Sequence, residues 1–188
     1  MKRIFDFILG LSLILIFCFP MFIISILIKI DSIGPVIHLS KRIGKNNKIF
    51  SMFKFRTMKI NTPQLSTHKL KNSKKYITKM GKFLRKTSLD ELPQLFNVMS
   101  GSMSLVGPRP GLYNQKKLIN RREKLGINQL TPGITGLAQI NGRDLIDDKK
   151  KIQYDLKYLN VTEMILSNAG KRAGGGGKRL LFTAVFLA

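Results

Sequence analysis

Cysteine is almost missing from this chain. One residue, Cys18, in 188 leaves no disulfide to form within the chain and no cysteine cluster for a metal. His38 and His68 are the only histidines, too few to complete a structural zinc site. Acidic side chains are also scarce: 10 Asp plus Glu stand against 33 Lys plus Arg, a formal charge of +23. An excess of that size calls for an anionic partner, and nucleic acid, an acidic membrane face and phosphorylated substrates all qualify. The length allows one globular unit with a proper core plus an appendage, and is too short for two large domains.

What the chain does have begins with an apolar run. From Phe7 to Ile28 no residue is charged over 22 positions, about 33 Å as a helix and long enough to cross a bilayer core. The run is too long for a cleaved signal peptide, and no small-x-small cleavage site precedes Asp31. Lys2 and Arg3 lie before it and Lys29, Lys41, Arg42, Lys45 and Lys48 after it, so cytoplasm-preferring charge brackets both ends. Pro20 removes a helical hydrogen bond near the middle and favours a kink. These two features together suit a bent, re-entrant hairpin that enters and leaves one leaflet. Hydropathy alone favours a straight single-pass helix, because backbone groups freed at a bend are costly in lipid.

Beyond a turn at Asp31–Pro35, Val36–Leu39 and Ile49–Arg56 read as extended segments around a basic loop containing Gly and Asn, a short β-hairpin. Alternation puts Lys54 and Arg56 on one face of the second segment, either as a functional pair or as a solvated strand face. Residues 60–75 are polar, basic and poor in apolar side chains, and read as a mobile loop. Tyr76, Ile77, Met80, Phe83 and Leu84 follow helical spacing among lysines. That helix suits the lipid headgroup region as well as it suits packing on a core. Residues 116–125 form a basic helix-like piece, and Thr131–Gly136 a turn-rich loop. Together these elements predict a helix-rich α/β chain: a membrane-inserted helix over 1–30, one small catalytic domain over 31–160, and an atypical tail over 161–188.

The densest cluster of chemistry is Thr87–Leu95, where Asp90 and Glu91 stand side by side after Arg85–Lys86. Ser88 and Glu91 also match the S/T-x-x-E capping box, an ordinary way to start a helix. Pro93 requires the helix to begin nearby, which places the carboxylates in or near a first turn, where exposed amides favour anions such as a substrate phosphate.

The order of motifs resembles the bacterial sugar transferase family, in its small monotopic form that acts on polyprenyl phosphates. The resemblance runs over roughly residues 2–158. It is carried by Lys-Arg-x-x-Asp at 2–6, the proline-bearing apolar run, Lys-Phe-Arg-Thr-Met at 54–58, Leu-Asp-Glu-Leu-Pro-Gln-Leu at 89–95, Val-Gly-Pro-Arg-Pro at 106–110 and Pro-Gly-Ile-Thr-Gly at 132–136. It implies transfer of a sugar 1-phosphate from a UDP-sugar to undecaprenyl phosphate at the cytoplasmic face of the bacterial inner membrane, with release of UMP. It further implies Asp90 as nucleophile and Mg²⁺ ligand, and Glu91 as proton-handling partner. Lys54, Arg85 and Arg109 would bind phosphate, and Gln139 and Arg143 would either meet the nucleotide end or serve the fold. Anionic lipids and downstream glycosyltransferases are the further partners implied. The chain departs from the family at Phe19, where a serine often precedes the proline, and after Tyr158, where an aromatic-rich ending is expected.

Two other classes compete. A membrane-tethered nucleic-acid binder would interleave basic residues with stacking aromatics or carry a known module, and the sequence has neither. A non-enzymatic basic scaffold leaves the Asp–Glu, Pro-Arg-Pro and Pro-Gly-Ile-Thr-Gly motifs without a role. The charge fits the enzyme, whose donor, acceptor and surrounding lipids are all anionic.

Overall fold

The computed structural model describes residues 2–60, 62, 75–142 and 146–171. The chain divides into two compact units, one made of residues 1–40 and 51–100, the other of residues 41–50 and 101–188.

The first unit is dominated by helix α1 (Lys2–Asp31), which runs unbroken through Pro20. Most of its surface is exposed although apolar: Leu15, Ile16, Phe19 and Phe22 all stand out, and only 17% of its most apolar window is buried. By length and composition it is the one described helix that qualifies to cross a membrane. Met21, Ile24 and Ile28 at its end form a core with Phe55 and Leu84. Its last turn is closed by a single side chain. Arg56 donates to the carbonyls of Ser32 (2.6 Å) and Ile33 (2.7 Å) just past the helix, to Ser32 Oγ (2.9 Å) and, at 3.4 Å, to the last-turn carbonyl of Ile28, and so ties down the chain where it leaves the helix. Arg56 is 6% exposed, which rules out the solvated strand face for this residue.

The hairpin is present, with β1 (Ile37–Ile43) paired to β2 (Ile49–Phe55) across a short 3₁₀ turn. Asn46 and Asn47 adopt left-handed conformations there, a backbone that Asn tolerates better than most residues. Helix α2 (Lys79–Thr87) begins later than the apolar spacing suggested. Tyr76 precedes it and Ile77 pairs with Met58 in an isolated bridge, because Thr78 caps α2 by accepting from the Gly81 amide (3.0 Å). A 3₁₀ turn (Leu89–Glu91) and helix α3 (Gln94–Ser100) complete the unit, and Gly101 in a left-handed conformation follows the helix end. The expected loop at 60–75 lies largely outside the described residues.

In the second unit, β3 (Ser104–Val106) and β4 (Gly133–Thr135) pair in parallel, with Ser104 opposite Gly133 and Val106 opposite Thr135. Helix α4 (Lys116–Lys124) lies in the crossover between them, matching the basic piece expected at 116–125. The stretch expected to be only a turn-rich loop therefore contains a strand. Its glycine explains how: a Cβ on Gly133 would sit 2.1 Å from the Gly107 amide nitrogen, so only glycine lets the two backbones approach. Helix α5 (Leu137–Ile140) and the long α6 (Asp148–Lys171) follow. Leu118, Ile127 and Ile152 form this unit's core, with Leu130, Leu156 and Leu159 against it.

Candidate active site

Asp90 and Glu91 occupy the 3₁₀ turn between α2 and α3, and each is only 9% exposed. Two buried carboxylates are expensive unless cations or donors meet them, and the first unit supplies cations from two elements. From β2, Lys54 Nζ lies 2.9 Å from Glu91 Oε1. From the last turn of α2, Arg85 interacts electrostatically with Asp90. Burial pushes the Arg85 guanidinium below its usual range, and the Asp90 charge acts in the opposite direction. Arg85 is aimed by Thr57, whose Oγ1 accepts from Nε at 2.8 Å.

The capping box does not form. Ser88 is in a left-handed conformation (φ 60°) and makes no side-chain capping hydrogen bond, while the Glu91 carboxylate is taken by Lys54. The left-handed residue instead ends α2 and starts the turn, so that both carboxylates follow the helix within four residues. A non-glycine residue in this region is uncommon and often marks a functional turn.

Two residues of this site escaped the sequence reading. Asn97, 3% exposed, receives the Phe53 amide on its Oδ1 (2.9 Å) and donates its Nδ2 to the Ser51 carbonyl (2.9 Å). It thereby staples β2 to α3 and fixes the strand that carries Lys54 against the turn that carries Glu91. The signal was an amide among Leu95, Phe96, Val98 and Met99, a setting in which a polar group must be hydrogen-bonded. Gln94 is 1% exposed, and neither of its amide atoms has a hydrogen-bond partner.

The remaining expected residues belong to the second unit or lie outside the described residues. Arg109 is in the second unit, in the turn after β3, with its carbonyl held by Arg122 (2.9 Å). Gln139, also in that unit, is in α5 with both amide atoms buried and unpaired. Arg143 lies outside the described residues.

Among the described residues, no three His, Cys, Asp or Glu side chains converge on a common metal position. A cage made only of protein ligands is therefore absent there. Asp90 nevertheless offers the hard carboxylate oxygen that Mg²⁺ prefers, and Mg²⁺ commonly takes one or two carboxylates and completes its shell with phosphate oxygens and water. The donor set fits that mode.

A sequence model described as bacterial sugar transferase matches residues 1–168. A UDP-glucose:undecaprenyl-phosphate glucose-1-phosphate transferase of Xanthomonas campestris pv. campestris is 44% identical over 150 residues, covering 74% of this chain and 30% of its own. A Klebsiella pneumoniae protein of the same name is 42% identical over 166 residues, 84% of this chain and 36% of its own. A UDP-N-acetylgalactosamine-undecaprenyl-phosphate N-acetylgalactosaminephosphotransferase of Aeromonas hydrophila is 36% identical over 166 residues, again 84% of this chain and 38% of its own. The chain spans about a third of the length of the curated relatives it matches.

Proposed function

The chain belongs to the bacterial sugar transferase family, and from that membership and the geometry of its carboxylate turn we propose that it transfers a sugar 1-phosphate from a UDP-sugar to undecaprenyl phosphate. The observation that carries this reading is the buried Asp90–Glu91 pair with Lys54 and Arg85 brought to it from β2 and α2. A pyrophosphate approaching bare carboxylates is repelled; at this turn Lys54 and Arg85 offset their charge. Arginine offers phosphate a planar fork and lysine a point charge.

In the proposed reaction an Asp90 carboxylate oxygen attacks the phosphorus that bears the sugar. The bond from that phosphorus to the bridging oxygen breaks, and UMP leaves with the electron pair. The aspartyl-phosphosugar is then attacked at the same phosphorus by an oxygen of undecaprenyl phosphate, which releases the Asp90 carboxylate unchanged. Dividing the exchange in two lets each anionic substrate occupy the site in turn. Glu91, paired to Lys54, accepts a proton from the acceptor phosphate where it carries one. Mg²⁺ held by Asp90 would neutralise charge on the phosphate oxygens. Arg109 is assigned to phosphate, and Gln139 and Arg143 to the nucleotide end.

The re-entrant, one-face topology belongs to the same proposal, and the two ends of α1 support it. Near the start, Arg3 donates to the carbonyls of Val98 and Met99 at the end of α3. At the far end, Arg56 holds Ser32 and Ile33, and Asp31 Oδ2 accepts from the Met80 amide (2.9 Å). Between them, no residue from Leu11 to Pro20 is buried. Docking of both ends on the same unit, with the exposed apolar middle left for lipid, supports a placement with both ends on one side of the bilayer. That side is the cytoplasmic face, where UDP-sugars are made and anionic lipids meet the basic surface. The product would pass to downstream glycosyltransferases.

Membranes carrying the protein, given a panel of UDP-sugars with Mg²⁺ and undecaprenyl phosphate, should release UMP with one donor class. Since the relatives are named for glucose and for N-acetylgalactosamine, the panel also assigns the sugar. Full activity in Asp90→Asn would refute the covalent route, and a Met1 tag that reacts with a periplasm-only reagent would refute the topology.

A further inference from the structure

Within the second unit, the turn Val106–Gly111 is held by its own main chain. Tyr158 Oη donates to the Val106 carbonyl (3.0 Å), the Gly133 amide to Pro108 (2.9 Å), Arg42 to Pro110 (3.3 Å) and the Ile43 amide to Gly111 (3.0 Å). The Gly107 amide donates to Thr135 (2.9 Å). Pro108 and Pro110 fix φ on either side of Arg109. The remaining brace is ionic. Arg122 on α4 donates Nη1 to the Arg109 carbonyl (2.9 Å), and its Nε and Nη2 both go to Asp155 Oδ2 on α6, at 3.0 and 2.7 Å. The side chains of Arg122 and Asp155 are 13% and 2% exposed.

We propose that Asp155 and Arg122 are positioning residues that orient Arg109 for the substrate's phosphate. The proposal rests on the phosphate-binding role given to Arg109 above. Asp155 fixes the Arg122 fork by taking two of its N–H groups, and the third direction of the planar guanidinium is then aimed at one carbonyl, that of Arg109 itself. A buried ion pair is a poor way to gain stability, since apolar residues of similar volume often do as well or better. What it supplies is direction: a rigid fork at one main-chain atom of the residue whose side chain has to be placed. The same arrangement gives Tyr154–Tyr158, at the end of the family resemblance, a function. Asp155 and Tyr158 lie on α6 three residues apart, so they share one helix face, and both act on this turn.

The test compares Arg122→Met, Arg122→Lys and Asp155→Asn with the parent enzyme, each alone and combined with Arg109→Ala, in UMP release at varied donor concentration. Misplacement of a binding group by about an ångström can cost up to ~100-fold. Arg122→Met and Asp155→Asn are therefore expected to lose roughly 10- to 100-fold in kcat/KM. Arg109→Ala should add less than about 2-fold in either background, because the oriented group is already lost. Unchanged kcat/KM in folded Arg122→Met, or losses that multiply with Arg109→Ala, would overturn the proposal. Where Arg122→Met does not fold, Arg122→Lys carries the test, since it keeps the charge and loses the fork. Amide hydrogen exchange gives a readout independent of activity: peptides covering 106–113 should exchange faster in the variants while peptides covering 89–100 do not change. If the parent releases no UMP with any donor, the proposed function fails, and exchange alone decides the bracing; unaltered exchange at 106–113 refutes it.

Discussion

Removing Lys54 is the sharpest probe of the carboxylate turn. The pair Lys54–Glu91 is 2.9 Å apart with side chains 15% and 10% exposed. At an effective dielectric of about 20, the gross attraction at that distance is about 6 kcal/mol. Desolvation of both ions offsets much of this, and measured losses for breaking a buried pair run ~3–5 kcal/mol, against ~0.2–1 for exposed pairs. The residual exposure places Lys54→Met and Glu91→Gln at about 2–4 kcal/mol each by interpolation between those ranges, with a coupling energy near ~2 kcal/mol in the double-variant cycle. Because Asn97 holds Ser51 and Phe53 independently, the strand stays in place and the loss is local to the pair. For a chain of this size it should appear in lipid nanodiscs as a fall in Tm of roughly 5–15 °C. It should change little between about 0.1 and 1 M salt, since buried pairs are weakly screened. A coupling below ~0.5 kcal/mol, or a loss that salt abolishes, would show that water screens this pair, and the argument that cations are held ready for an incoming phosphate would fall with it.

The features visible in the sequence were those set by neighbours in the chain. The apolar run became α1, the Gly/Asn loop became the hairpin turn, and Lys116–Lys124 became α4. Asp90–Glu91 stood out because acids are so few. What could not be read locally are the long-range pairings. Nothing within a few residues of Arg56 says that it closes a helix ending more than twenty positions earlier, nor that residues 41–50 join the unit formed by 101–188 rather than the one that contains the rest of their hairpin. Gly133 read only as part of a turn-rich loop, yet it and Gly81 mark close backbone approaches that appear only once the elements pack. The Ser88–Glu91 spacing misled for a related reason. A capping box is favoured by about 1 kcal/mol of local hydrogen bonding, and a buried carboxylate gains more from a lysine on a strand 37 residues away.

Three further outcomes are expected. Gly81→Ala would place a methyl 2.1 Å from the Thr57 carbonyl oxygen, backbone that cannot rotate away; a loss of ~3 kcal/mol, at the upper end for overpacking, should appear as a Tm lower by roughly 6–12 °C. Gln94→Met replaces a buried amide whose atoms have no partner by an apolar chain of similar length, so stability should hold or rise by ~1 kcal/mol; a loss above that in thermal unfolding would reveal a partner for the amide. The last concerns pH. Burial raises the Asp155 pKa above its ordinary value, and Arg122 offsets only part of the effect. Between the ordinary carboxylate value and the raised one, the folded protein keeps a proton that the unfolded chain has released, so stability falls as pH rises. The contribution is fully present below the unfolded pKa and lost once pH has passed the folded one. Asp155→Asn has no proton to exchange. The stability of the parent minus that of the variant should therefore decline as pH is raised from about 4 and then level off, measured as thermal unfolding across the acid range. A difference that grows with pH would mean that Arg122 outweighs burial and holds the carboxylate ionised, reversing the sign of the argument.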